Sequence, residues 1–169
     1  MVAQAIKNNQ AMLAFQPVVI ASDPGRVGFY EGLIRVLDET GRIIPAREFM
    51  PIVERAELGR EIDVVALNLG LKTLHRNPSL RLSINMSARS IGYHRWMQTL
   101  QRWVKKDSTL GERLILEITE NSAMDQPELV IDFMVRLRKS NISFASDDFG
   151  SGYTALKYIK NFLFDVLKI

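Results

Sequence analysis

Adjacent aspartates at positions 147 and 148 close an apolar run in the stretch ISFASDDFGSGYTAL, residues 142–156. Two carboxylates side by side repel each other, so the pair requires positive charge nearby: a metal ion, a buried base or a helix N-terminus. Other chemically capable residues stand in comparable places: Glu31 in YEGLIR, Asn85 in RLSINMS, Glu117 in RLILEIT and Lys168 in FDVLKI. Three carboxylates and an amide oxygen make a hard oxygen ligand set, suited to Mg²⁺ or Mn²⁺. Asp148 adds a carboxylate able to bridge two ions roughly 3.5–4 Å apart, as in two-metal phosphodiester hydrolysis. On that reading the adjacent aspartates tolerate each other because cations lie between them. Lys168 is suited to orient an attacking water, to neutralise phosphate charge or, with its pKa lowered by metals, to accept a proton. Arg35, four residues after Glu31, has the planar fork that grips a phosphate, and Gly150 and Gly152 let the following loop turn tightly against a ligand.

These residues need a scaffold that brings them to one place. Residues 1–11 read as a short polar helix, LAFQPVVI (13–20) as a strand, DPG (23–25) as a turn and residues 27–37 as a second strand. AREFMPIVERAEL (46–58) is helical, with a break expected at Pro51. Residues 60–76 carry apolar residues at helical spacing (Ile62, Val65, Ala66, Leu69). Then strands over 81–87, 113–119, 142–147 and 164–169 alternate with helices over 94–106, 127–140 and 154–160. Such alternation predicts parallel βαβ units.

Side-chain parity chooses between an open sheet and a barrel. Alternate strand residues face opposite sides. Leu82, Ile84 and Met86 share one face of their strand, while Ser83, Asn85 and Ser87 share the other. Glu31 groups with Leu33 and Arg35, Glu117 with Ile115 and Thr119, Asp147 with Ser143 and Ala145, and Lys168 with Val166. One face is thus apolar and ready for helices. The other carries Glu31, Asn85, Glu117, Asp147 and Lys168, charges that are costly to enclose unless paired or metal-bound. Polar groups converging from the ends of many strands are the barrel pattern, and no glycine-rich phosphate loop follows an early strand.

Composition narrows the setting. The 169 residues suffice for one domain, 47% are apolar, 24% are charged and the net charge is only +3, so a nucleic-acid polymer is not an expected partner. The absence of cysteine excludes disulfides and thiolate metal sites. No apolar run approaches the ~18 residues of a membrane span, and no signal peptide opens the chain; a cytoplasmic protein without membrane contact is expected. His75 and His94 read as surface residues on helix edges without acidic partners, and Trp96 and Trp103 as one packing stripe. Ser146, on the helix-facing side of its strand, has no functional account.

From about Gln16 to the end, an ordered set of motifs resembles the EAL family of bacterial cyclic di-GMP phosphodiesterases: FQPVV, YEGLIR, PAREFMPIVERAELG, SINMSA, LEITE and DDFGSGYTALKYIKNFLFDVLKI. The resemblance implies a modified TIM (β/α)8 barrel with an antiparallel first strand, residues 1–169 forming a single domain of this type. It implies hydrolysis of cyclic di-GMP to linear pGpG with Mg²⁺ or Mn²⁺, two ions. Glu31, Asn85, Glu117 and Asp147 match the family's metal ligands, and Asp148 matches the ligand or water-holder of the second ion. Lys168 matches the lysine at the catalytic water, so Lys168, Glu31 and Asp148 are the expected catalytic group. Gln16, Leu33 and Arg35 match substrate-contacting positions. Glu120 is also acidic, but its strand parity differs from that of Glu117, so a place outside the ligand set is expected. Homodimers and fused regulatory domains are further implications.

Two departures stand out. Gly32 replaces the family's usual Ala, a change expected to be mild because only a methyl is lost. The chain stops one residue after Lys168, where the family continues, so an incomplete barrel of about six strands is expected, catalysing weakly by itself. Two other functions remain open: an inactive cyclic di-GMP receptor or interaction module, and a metal phosphatase of another specificity.

Overall fold

The computed structural model describes residues 1–147 and 161–168. A short helix α1 (Val2–Lys7) leads into an antiparallel pair, β1 (Ala11–Ile20) and β2 (Asp23–Leu37), in which Gln16 lies opposite Glu31. The chain turns at residues 21–22, before the expected DPG turn, and Asp23 already pairs with Ile20. A three-residue strand β3 (Ile43–Pro45) folds back on β2. Helices α2 (Ala46–Val53) and α3 (Glu57–Arg76) follow. Then come β4 (Leu82–Asn85), α4 (His94–Lys106), α5 (Leu110–Arg113), β5 (Leu114–Thr119), α6 (Glu120–Asp125), α7 (Pro127–Arg138), β6 (Ser143–Asp147) and β7 (Val166–Leu167). The helix expected over 154–160 lies outside the described residues.

The sheet runs β1-β2-β4-β5-β6-β7, with β3 beside β2. From β2 onward every pairing along this path is parallel. This is the expected α/β architecture: a curled half-barrel of six main strands with an antiparallel first strand. Among the described residues the sheet does not close, and no helix is long and apolar enough to cross a membrane.

The expected break at Pro51 does not occur; α2 continues through it to Val53. Pro51 lacks the N–H that would bond the carbonyl of Arg47, and both residues are exposed, so water can satisfy that carbonyl. The helical run is interrupted instead at residues 54–56.

The apolar face of each parallel strand packs on the helix layer. Leu82, Ile84, Leu114, Leu116, Ile118 and Phe144 are all buried there with Leu67, Leu71 and Phe133. The other face has its own smaller apolar cluster, in which Phe29, Ile115 and Ala145 meet Val18 and Val166. Phe29, Ile115, Ala145 and Val166 each precede, by two positions on the same strand face, one of Glu31, Glu117, Asp147 and Lys168; Val18 follows Gln16 on the antiparallel β1. The inner face is therefore layered, with an apolar floor beneath a charged tier.

Gly32 turns out to be more than a missing methyl. A Cβ there would lie 2.8 Å from Ile84 Cδ1 and 3.3 Å from Leu13 Cδ1. A Cβ at Gly70 of α3 would lie 2.6 Å from the same Ile84 atom. Ile84 thus fills the space left by two glycines, one on β2 and one on the helix packed over it.

Candidate active site

The inner-face positions converge. Lys168 Nζ donates to Glu31 Oε2 at 2.8 Å and to Glu117 Oε2 at 2.8 Å, and lies 3.2 Å from Asp147 Oδ1. Asn85 Nδ2 donates to Glu31 Oε1 at 2.7 Å, which leaves its carbonyl oxygen as the atom it can offer a cation. Strand register produces this meeting: Asn85 pairs with Glu117, and Asp147 lies across from Thr119 at the end of β5.

Lys168 is delivered by a separate clamp. Asp165 accepts from the Phe144 N–H at 2.9 Å and from Arg138 Nη2 at 2.6 Å, while its own N–H donates to Phe144 O at 2.8 Å. The Lys168 N–H then donates to Ser146 O at 3.0 Å, placing the ammonium above Val166 and over the acids.

Glu117 is fully buried, and its Oε1 has no hydrogen-bond partner among the described residues. Burial pushes the Glu117 carboxyl above the ordinary range, against the opposing pull of the Lys168 bond; the nearby Glu31 charge pushes in the same direction as burial. Burial also disfavours the charged form of Lys168, but its bonds to Glu117 and Glu31 outweigh that and hold the ammonium above its ordinary range. As placed, Lys168 is a cation matched to acids and not a proton acceptor. Among the described residues, no three acidic or imidazole side chains stand ready around a common point to ligate a metal; the ammonium holds the centre.

Other expected site residues lie on the flank. Gln16 is exposed and opposite Glu31, and Leu33 is half-buried two positions further along β2. Arg35 donates to the carbonyl of Ile34 at 2.9 Å and forms no ion pair with an acid among the described residues. Asp148, Gly150 and Gly152 lie outside the described residues. Glu120 is buried at the start of α6.

A cleft of about 700 Å³ opens beside the cluster at the ends of β4 and β5, lined by Arg55, Asp63, Asn85, Ser87, Arg89 and Glu120 among others. Asp63 is absent from the expected site residues. It is 5% exposed, and Oδ2 accepts from the Ser87 N–H at 3.0 Å and from Ser90 Oγ at 2.5 Å. A signal existed, since Asp63 interrupts the apolar stripe of α3 between Ile62 and Val64.

At the opposite end of the strands, His75 is not the unpartnered residue expected. Its Nδ1 lies 2.9 Å from Asp107 Oδ2, and its ring packs against Trp103 at 5.7 Å. The Thr109 hydroxyl, followed by His75, holds the Asp107 carboxyl down at about 2. Buried Arg113 donates to the carbonyls of Leu74 at 2.8 Å and Asn77 at 3.1 Å, satisfying the open end of α3. These contacts tie helices together and are remote in sequence, which hid them.

Comparison with known proteins gives a consistent result. The family model for the EAL domain matches residues 1–169. The cyclic di-GMP phosphodiesterase PdeB of Shewanella oneidensis is 30% identical over 172 residues, covering 99% of this chain and 20% of that protein. PdeA of Borreliella burgdorferi, another cyclic di-GMP phosphodiesterase, is 29% identical over 175 residues, covering 99% of this chain and 26% of its own length. The chain thus spans about a fifth to a quarter of these curated relatives. Among solved structures, the FimX EAL domain from Pseudomonas aeruginosa bound to c-di-GMP superposes with a TM-score of 0.85 at 25% identity, over 99% of this chain and 69% of that one. The PaMucR phosphodiesterase in its c-di-GMP complex gives 0.78 at 25% identity, over 99% and 70%.

Proposed function

The chain belongs to the EAL domain family, and on that footing we propose that it carries the catalytic face of a divalent-metal-dependent phosphodiesterase that opens cyclic di-GMP to linear pGpG. The observation that carries this reading is the meeting of Glu31, Asn85, Glu117 and Asp147 around Lys168 on an apolar floor.

The donor set fits a hard divalent cation. Glu117 Oε1 is a buried carboxylate oxygen that no donor meets within hydrogen-bond distance among the described residues, and such an atom is costly unless a cation or hydrogen bond meets it. Three carboxylates against one ammonium also leave excess negative charge. A doubly anionic cyclic dinucleotide would be repelled by that excess, so added positive charge must accompany it. In the proposed site Glu31, Asn85, Glu117, Asp147 and Asp148 hold Mg²⁺ or Mn²⁺, two ions. Bound there, the ions supply charge neutralisation at the phosphate and lower the pKa of water.

The chain's own groups have distinct tasks. Lys168, anchored by Glu31 and Glu117, presents a fixed positive charge where phosphate charge develops and positions the attacking water. Gln16, Leu33 and Arg35 extend the β1–β2 side of the site as the surface for the rest of the substrate. The floor of Phe29, Ile115 and Ala145 closes the site from below and keeps its dielectric low, strengthening each of these interactions. A cytoplasmic setting, a homodimer and fused regulatory domains belong to the same reading.

The test is hydrolysis of cyclic di-GMP by the protein with Mn²⁺ or Mg²⁺, followed as appearance of pGpG. Turnover that Glu31→Gln abolishes is the expected result. Micromolar binding of cyclic di-GMP with no turnover under any of these ions would overturn the enzyme in favour of a receptor.

A further inference from the structure

Helix α3 contributes a buried carboxylate to the cleft beside the site. Asp63 is buried in α3, and among the described residues no ion pair neutralises it. Its Oδ2 instead accepts two donors from the segment after β4, the Ser87 N–H at 3.0 Å and the Ser90 hydroxyl at 2.5 Å. Ser87 Oγ in turn accepts the Arg89 N–H at 3.2 Å, closing the tight turn Ala88–Ser90. On the far side of that turn, the Ala88 N–H donates to Ser122 Oγ at 2.9 Å, and the Ser122 N–H to Thr119 Oγ1 at 3.2 Å. A continuous polar tie therefore runs from α3 through the β4 rim to the end of β5.

Asn85 is the last residue of β4, so the strand ladder alone does not fix residues 86–90. Beyond it, the Met86 N–H donates to Glu117 O at 2.9 Å, and the next anchors are those on Asp63. An apolar side chain at position 63 would be easier to bury but would leave the Ser87 N–H and the Ser90 hydroxyl without acceptors. We infer that Asp63 is a positioning residue of the candidate site: by holding residues 87–90 it fixes the direction in which Asn85 presents its amide to Glu31. The consequence for hydrolysis rests on the phosphodiesterase reading; the positioning itself does not.

The experiment reads Asn85 directly. Solvent exchange of its side-chain amide protons is measured by NMR in the metal-free protein, with the signal assigned by its loss in Asn85→Asp. The wild type is expected to show a protected amide because Nδ2 is bonded to Glu31. Asp63→Asn keeps an acceptor oxygen for both donors and should keep the protection, whereas Asp63→Ala should speed exchange about ten-fold or more. Ser90→Ala, a smaller change, removes one of the two bonds and should speed exchange about three-fold.

In the hydrolysis assay Asp63→Ala should lower kcat about ten-fold with little change in KM, and Asp63→Asn should restore it. Wild-type exchange in both Asp63→Ala and Ser90→Ala, or in Ser90→Ala if Asp63→Ala does not fold, overturns the inference. So does loss of protection in Asp63→Asn equal to that in Asp63→Ala. Absence of hydrolysis in a wild type whose Asn85 amide responds as expected would sink the phosphodiesterase reading and leave the positioning role standing.

Discussion

The contact between Gly32 and Ile84 yields a double-mutant cycle with a sign. Gly32→Ala places a methyl 2.8 Å from Ile84 Cδ1 and 3.3 Å from both Leu13 Cδ1 and Ser83 O. Ile84 is 1% exposed and cannot swing away, because the backbone of Gly70 lies against its other side. Forcing a methyl into such a site costs about 1–3 kcal/mol. Replacing Gly by Ala within a strand returns about 0.5–1 kcal/mol of backbone entropy, so the net loss should be about 1–2 kcal/mol. Ile84→Val deletes the obstructing Cδ1 and by itself costs about 0.5–1.5 kcal/mol through the cavity it leaves. In the double variant the new methyl occupies that cavity, and stability should return close to wild type. The favourable coupling should be about 1.5–3.5 kcal/mol. Equilibrium urea unfolding of the four proteins, with unchanged m-values, measures it. Because position 32 faces the helices, the Lys168 cluster should be unaffected. Additive losses in the double variant would refute the claim that Ile84 fills the space of the missing methyl.

Further outcomes are expected from other contacts. Lys168→Met leaves Glu31 and buried Glu117 without their cation, and should cost about 3–5 kcal/mol in urea unfolding at neutral pH; wild-type stability would contradict the pairing. Burial raises the Asp63 carboxyl from 3.8 to about 6, against the lowering effect of Ser90 and Ser87. The folded state therefore binds that proton more tightly than the unfolded chain. This contribution to stability is complete below pH 3.8 and lost as pH rises through about 6, a difference of about 3 kcal/mol. Asp63→Asn should flatten that part of the stability–pH curve, and an unchanged slope would contradict it. Gly111→Ala would bring a Cβ within 1.9 Å of the Ser140 carbonyl oxygen, a backbone atom with no rotamer to change. A loss of about 3 kcal/mol and a fall in Tm of about 6–12 °C are expected by thermal unfolding.

The sequence determined the parts that depend on local pattern. Apolar alternation and helical spacing are written within each segment, so the strands from β4 to β6 and helices α3, α4 and α7 were legible. Parity within a strand already grouped Glu31, Asn85, Glu117, Asp147 and Lys168 on a shared face, because a pleated chain alternates its side chains whatever surrounds it. Tertiary structure decided what depends on distance through space. Lys168 and Glu31 are 137 positions apart, and only strand register and the Asp165 clamp put the ammonium of one against the carboxylate of the other. No local pattern says that Ile84 fills the space above Gly32 and Gly70, that Pro51 is harmless because it and Arg47 lie on the exposed side of their helix, or that Asp63 reaches from α3 to the β4 rim. Each depends on which surfaces meet once the helices pack on the sheet, and packing joins residues that share no periodicity along the chain.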